Sequence, residues 1–570
     1  MPAGRPERLG RARSAGIVSA GALAAMTSEI DRTVATDMPA APSTGPPRPE
    51  GPDSLWGELA RAVLAAAGMH IASGTSARAE PPPVETHRQR SARLQATPRF
   101  LQQFLDAAPA EALALWLRWK APAGLPRNRE QLLRMLARDI ADIDALLSDQ
   151  VDAILHHPQF QRLEASWRGL RYLVDQIDPE EHNIRIRVLS VSWAELARDL
   201  ERAGEFDQSQ LFRKVYSAEF DMPGGTPYGL LLGDYEIRHT VSPEGVNDLR
   251  VLQGIAEVAA AAWAPFVAAA HPALLGLDSF ADLQFPLNLP QTFEQLEYLK
   301  WRAFRDSEDS RFVGLVLPRV LRRLPYEDDG SRRDGFRYRE NVAGPDARKY
   351  LWGTAVYAFG AVVARSFADS GWLASIRGVQ RGVEGGGLVT GLPVHWFSTH
   401  RPGLVPKPPT DVIIHDRQEP ELSELGFIPL CACPDTPYAA FYAAHSVQKP
   451  RKYSEPAATL NAKVSAMLPY LLCASRFAHY IKVILRDKVG TFAEPEECED
   501  FLHRWIHQYV TADPEASPEV KARLPLREAR IQVRAHPAKP GSFRCIAHLW
   551  PHYELDELTT TLRVATEVRR

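Results

Sequence analysis

Residues 228–239 read YGLLLGDYEIRH. Tyr228–Leu232 is a short apolar run of the kind a buried strand uses; Gly233 stops it, and Asp234, Tyr235, Glu236 and Ile237 then alternate again. Ser242, with Pro243 at the first helical position, opens a helix whose Val246, Leu249, Ile255, Val258, Ala262 and Trp263 keep the helical phase. Just upstream, Asn183–Val191 sets Ile184, Ile186 and Val188 against Arg185 and Arg187, the period of a strand with one wet face, and Ser192 caps a helix to about Ala203. Strands and helices alternate, so the central region is α/β or mixed α+β.

Working towards the N-terminus, Ile140, Ile143, Leu146, Leu147, Val151, Ile154 and Leu155 recur at helical spacing with Asp139, Asp142, Asp144, Asp149 and Asp152 between them. This is an amphipathic helix whose acidic side faces solvent or a partner. Folded sequence starts near Arg99, and a helical arm spans about 96–139. Residues 1–95 are rich in Ala, Pro, Gly, Ser and Arg and bury too little apolar surface to offset chain entropy, so a disordered extension is expected there. Within it Ser54–Met69 could form a short amphipathic helix that docks in a partner's groove. Arg5, Arg8, Arg11 and Arg13 before Ala15–Met26 imitate a secretory signal without its Leu-rich centre, and Met26 is an alternative start.

Towards the C-terminus, Thr292 and Gln295 read as a capping box for the helix carrying Trp301 and Phe304. Tyr326–Asn341, containing EDDGSRRDG, reads as a mobile surface insertion, and a helix over about Ala347–Ser370 stops at Gly371. The main domain extends to about residue 450. In 455–570, Pro469 should kink or split the helical stretch Thr459–Val489; a helix over Glu496–Val510 and a helix start at Ser517 follow. Strand-like runs Ala529–Ala535, Phe543–Trp550 and Leu558–Val564 close the chain.

The 570 residues, 45% hydrophobic, suffice for two or three domains with substantial cores. A formal charge of -3 leaves no field of one sign for nucleic acid or an acidic membrane, and no apolar run approaches the length a bilayer helix needs. Five cysteines, an odd count, fit a reducing compartment, with the cytoplasm as the default.

A search for chemistry returns little. No GxxxxGK[ST] loop and no GxSxG elbow occurs, and Gly382–Gly391 (GVEGGGLVTG) neither follows an evident strand nor opens a helix. His503 and His507 share a helix face, but Arg504 follows the first where a metalloprotease carries Glu. Cys431 and Cys433 have no answering pair at zinc-site spacing. Trp167, Arg168 and Tyr172 beside Glu164 suggest an aromatic cage, though packing and ion pairing on one helix explain them as well. No catalytic, cofactor or metal site is assigned.

Five stretches are recognisable as a set: Leu155–Asp175 (LHHPQFQRLEASWRGLRYLVD), Tyr228–His239, Phe304–Pro325 (FRDSEDSRFVGLVLPRVLRRLP), Ser446–Pro450 (SVQKP) and Phe477–Leu485 (FAHYIKVIL). Together, from about Ile140 to the C-terminus, they resemble the large subunit of the type VI secretion contractile sheath, whose design phage-tail sheaths share. The resemblance implies a non-enzymatic structural protein that pairs with a small sheath subunit and polymerises with neighbouring sheath subunits around an inner tube. It further implies a baseplate and a separate AAA+ disassembly ATPase as partners, with no membrane insertion and no nucleic acid. A terminal strand suits exchange between subunits, so Leu558, Thr560, Leu562 and Val564, with Trp167 and Arg168, are the candidate subunit-interaction residues. The alternatives are a sheath of another contractile injection system and a cytosolic metal-dependent enzyme using His503, His507, Cys431 and Cys433.

Overall fold

The computed structural model describes residues 98–568 apart from 121–125, 127, 178–182, 243, 331–334, 344–345, 374, 380–384, 396–407, 416, 434–435, 488–494, 514–515, 536–542 and 553–561. The expected extension 1–95, with its Ser54–Met69 helix, lies outside them. The chain divides into two compact units at Ala137/Arg138. In the first, helices α1 (Pro98–Asp106) and α2 (Pro109–Lys120) and the start of α3 (Arg129–Leu155) share a small core of Trp116, Leu117 and Leu132.

The second unit begins within α3. His157 caps α4 (Pro158–Asp175) by accepting the Gln159 N–H, and Ser192 and Glu195 close a reciprocal capping box on α5 (Trp193–Ala203). A six-stranded mixed sheet follows. Strands β1 (Leu231–Ile237), β2 (Phe266–Ala270) and β3 (Val313–Leu317) run parallel, with α6 (Asp248–Ala262) crossing from β1 to β2 and α7 (Leu299–Arg305) preceding β3. A short ribbon pairs β4 (Val320–Leu321) with β5 (Trp352–Gly353), and α8 (Val356–Ser370) ends at Gly371 in the left-handed conformation. Beyond β6 (Leu388–Val389) and the helix Gln418–Glu424, β7 (Ile428–Ala432) joins β3 in parallel and β8 (Ala439–Phe441) turns back, giving the order β1-β2-β3-β7-β8-β6. β2 and β3 are buried at every residue, as befits interior parallel strands.

The C-terminal domain sets the helices Pro456–Ser465, α9 (Leu468–Asp487) and α10 (Pro495–Ile506) beside an antiparallel sheet of β9 (Leu526–Ala535), β10 (Phe543–Pro551) and β11 (Leu562–Val568), ordered β11-β10-β9. Cys473, Phe477, Ile481, Leu502, Ile531, Val533 and Leu549 fill its core. Trp372, just beyond α8, stacks on Phe477 at 4.4 Å between ring centroids and so ties this domain to the main body.

Several expectations shift. Gly233 lies inside one continuous strand instead of ending it, because the Phe266 ring occupies the place of its missing side chain: an added Cβ would stand 2.4 Å from that ring. α6 starts at Asp248, five residues beyond the Pro243 signal. The Thr292–Gln295 box is not formed; Asn288 instead caps a helical turn over Leu289–Phe293, which holds Thr292. Pro469 does mark a break, at the second residue of α9, where its missing N–H costs no hydrogen bond. Residues 183–191 carry no helix or strand and join no sheet among the described residues, and Asn183 itself takes a left-handed φ of 51°.

The fold carries a pH dependence of definite sign. The His479 Nε2–H donates to the Ala262 carbonyl at 2.9 Å, and burial pushes the His479 pKa down to about 4. The unfolded chain therefore binds a proton near its ordinary value of about 6.5 that the folded chain refuses, so this stability is complete above pH ~6.5 and is lost as pH falls towards ~4, by roughly 3 kcal/mol. His271 and His445, likewise lowered to about 4 by burial, add in the same sense. Asp411, raised by burial to about 7, opposes them. Urea unfolding at pH 7.5 and 4.5 is expected to show a drop that His479→Gln reduces; an identical drop in that variant contradicts the assignment.

Candidate functional site

Two features of the second unit bear on assembly. The first is the α3–α4 corner. On α3, Ile140, Ile143, Leu147 and Ile154 follow the three-and-four spacing of a coiled-coil seam and are all exposed, Ile140 by 57%. On α4, Phe160, Leu163, Trp167 and Val174 repeat that spacing and are exposed too, Trp167 by 65%. The apolar side of each helix is thus the open one, where the sequence had directed attention to the acidic side of α3.

The opposite side of α4 is firmly seated. Gly169 lies against the Tyr357 ring, where an added Cβ would stand 2.3 Å away; the Tyr172 hydroxyl donates to the Thr390 carbonyl at 2.7 Å; and Ser166 donates to Asp234. Trp167, Arg168 and Tyr172 form no cage: Arg168 Nε donates to Glu164 at 2.8 Å, Tyr172 points into the body and Trp167 points out.

A charged strap holds the corner itself. Arg323, 7% exposed, donates through Nε to Glu164 at 2.8 Å and through Nη1 and Nη2 to Glu340, and its guanidinium lies 4.3 Å from the centre of the Tyr326 ring. Glu340 also bonds to His156 Nε2 at 3.1 Å and accepts the Tyr326 N–H at 3.0 Å, while Tyr338 donates to Asp152 on α3 at 2.6 Å. Burial works to raise the Glu340 pKa, but Arg323, the Tyr326 N–H and His156 outweigh it and hold the carboxyl below its usual range. The Tyr326–Asn341 stretch, expected as a mobile insertion, is therefore anchored at its far end, where Tyr338 and Glu340 are buried. Paired burial of Arg323 and Glu340 is the physical reason, since either charge alone would be costly there. Sequence reasoning missed this pair because 17 residues separate its members, with no periodic signal between them.

The second feature is the C-terminal sheet. β11 pairs antiparallel with β10 of its own chain, from Leu549↔Leu562 to Phe543↔Val568. As described, the strand covers Leu562–Val568, with Leu562 and Val564 of the expected Leu558–Val564 inside it and Leu558 and Thr560 outside the described residues. It is the edge strand of its sheet, paired with β10, and it also lies against α9.

The residues weighed for chemistry do not converge. His503, on the exposed side of α10, and His507, in the helical turn just after it, stack at 4.1 Å, and His507 Nδ1 donates to the His503 carbonyl at 2.8 Å. Cys431 lies in β7 and Cys433 just past it, in the other domain. Among the described residues no cluster of three or more His, Cys, Asp or Glu side chains is placed to hold a metal ion, and no helix is long and apolar enough to cross a membrane.

Comparison with known proteins meets this geometry. Residues 137–448 match the family described as EvpB/VC_A0108, tail sheath N-terminal domain, and residues 457–568 match EvpB/VC_A0108, tail sheath gpW/gp25-like domain. The two matches correspond to the sheet domain with its α3–α4 corner and to the C-terminal domain. The type VI secretion system sheath protein TssC1 of Pseudomonas aeruginosa is 43% identical over 432 residues, covering 75% of this chain and 85% of that protein. The chain belongs to the EvpB/TssC family of type VI secretion sheath proteins, as a large subunit.

Proposed function

We propose that this chain pairs with a small sheath subunit through the α3–α4 corner and that the pairs polymerise helically around an inner tube in the cytoplasm. The observation that supports the pairing is the double apolar stripe: two adjacent helices with coiled-coil spacing that is exposed among the described residues, a surface suited to helices of another chain. Trp167 is the central anchor, and Arg168 fixes the α4 surface beside it through Glu164. Longitudinal linkage uses β11. A strand attached along one edge, at the end of a connection, can leave its own β10 and pair in the same register with a neighbour's, so Leu562 and Val564 are exchanged with no change in hydrogen bonding.

Contraction is then a transition between two packings of one lattice. Exchanged strands keep the copies joined while the bodies rotate, and a modest free-energy difference per subunit adds along the tube. The chain supplies no catalysis; force passes to the inner tube from a baseplate-nucleated sheath, and a separate AAA+ ATPase dismantles the contracted form. Co-expression with the small subunit is expected to give tubules by negative-stain electron microscopy. Monodisperse monomers of both chains would contradict the proposal.

A further inference from the structure

The register of the C-terminal sheet sorts its side chains onto two faces. Alternate residues from Ala529 to Val533 and from Cys545 to Leu549 form the inner face, buried in the domain core. The outer face carries Arg530 and Arg534 of β9 and Arg544 and His548 of β10, with Glu528 at its end, and the same register puts Arg563 and Glu567 of β11 in the rows of His548 and Arg544. Arg534 thus stands directly opposite Arg544, and Arg530, His548 and Arg563 make one row across three strands. Like charges opposite each other across strands are destabilising, and an opposite charge laid over them relieves the cost. Arg530, Arg534 and Arg544 are exposed, and none of the three has an ion-pair partner among the described residues.

A surface of opposite sign lies in the crossover from β2 to β3. Gly276 packs against Thr292 and Tyr298, which brings the two ends of this loop together. Residues 278–300 hold Asp278, Asp282, Glu294 and Glu297 against Lys300 alone. Asp282 is used in capping its own turn; Asp278, Glu294 and Glu297 are exposed, and none of them has an ion-pair partner among the described residues. Phe285, Leu296 and Leu299 stand open in the same segment, and Leu296, at 86%, is the most exposed large apolar side chain among the described residues. Open apolar side chains rimmed by charge mark a protein-binding surface.

We infer that the arginine face of the C-terminal sheet of one copy docks on the acidic, leucine-bearing β2–β3 crossover of the next copy. The inference rests on the polymerisation proposed above. Charge complementarity names the occupant: this chain carries both surfaces, one on each of its two sheath domains, so each copy supplies what its neighbour lacks. A contact between two different surfaces is heterologous, and it propagates as an open helix wherever its rotation does not close a ring.

The test is charge reversal in the full chain, co-expressed with the small subunit and scored for tubules by negative-stain electron microscopy. One variant carries Glu294→Arg with Glu297→Arg, the other Arg530→Glu with Arg534→Glu; all four side chains are exposed, so circular dichroism is expected to show both variants folded. Each alone is expected to give at least about tenfold fewer tubules, because like charges then meet at every contact. Expressed together, the two variants are expected to restore tubules, since the new basic patch of one meets the new acidic sheet of the other, and their unaltered surfaces also match. A contact with the small subunit, or one within a single chain, would not be rescued by mixing. Undiminished tubules from either variant overturn the inference, as does a loss that mixing fails to restore. If a reversed chain does not fold, Glu294→Gln with Glu297→Gln and Arg530→Gln with Arg534→Gln take their place. Each pair is expected to raise the concentration needed for tubules about fivefold, and an unchanged concentration for either overturns the inference. Wild-type chains that give no tubules overturn the polymerisation reading, and the inference with it.

Discussion

Deleting residues 558–570 is expected to abolish tubules while leaving a folded chain. The deletion removes β11, which lies at the edge of its sheet, and leaves the β9–β10 pair, whose inner residues Ala529, Ile531, Val533, Cys545, Ala547 and Leu549 remain buried against α9 and α10. The β9–β10 part of the core stays while the contact of β11 with α9 is lost, and the thermal midpoint is expected to fall by only a few degrees, the effect of roughly 1 kcal/mol in a chain of this size. Under the proposed strand exchange polymerisation loses everything, because each exchanged strand would contribute a full ladder of backbone hydrogen bonds between copies. Circular dichroism and electron microscopy of the same preparation check both halves. Unaltered tubules would exclude strand exchange.

Trp167→Asp is expected to destroy pairing with the small subunit. Trp167 is the largest side chain on the exposed stripes and sits between Leu163 and Val174 on a helix whose other side is fixed by Gly169 and Tyr172. Buried tryptophans at the centre of an interface typically contribute ~2–4 kcal/mol, and a carboxylate in the same position adds desolvation, so the affinity falls at least about a hundredfold. Because Trp167 is solvent-exposed in the isolated chain, its stability is expected to change by no more than about 0.5 kcal/mol. Isothermal titration of the small subunit into each variant measures the first quantity and urea unfolding the second. A Trp167→Asp chain that binds normally would move the interface elsewhere.

What the sequence made legible was the local layer. The capping box at Ser192, the stop at Gly371, the break at Pro469 and the cap at Ser517 all depend on neighbours within a few residues, and each stands where it was read. Gly233 failed because the reason for a glycine there is Phe266, a residue from another strand. The last strand runs on past the expected Val564 to Val568 because its extent is set by pairing with β10, which periodicity does not record. The apolar spacing of α3 was visible, but its exposure was not: a stripe that waits for another chain has the same sequence as one buried in its own. The strand pattern of 183–191 is likewise visible in the sequence, yet no described strand pairs with it. Arg323 and Glu340 had no local signal at all.

Strand exchange between copies is tested most directly by a mixed disulfide. His548 and Arg563 face each other in the β10–β11 register, so one pool of chains carries His548→Cys and a second carries Arg563→Cys. Co-assembled with the small subunit and oxidised, the two pools are expected to yield a covalent dimer of one chain from each, which forms only if β11 of one copy lies on β10 of another. Tubules that assemble normally but give no such dimer, while a third preparation carrying both substitutions in one chain cross-links within itself, would contradict the account.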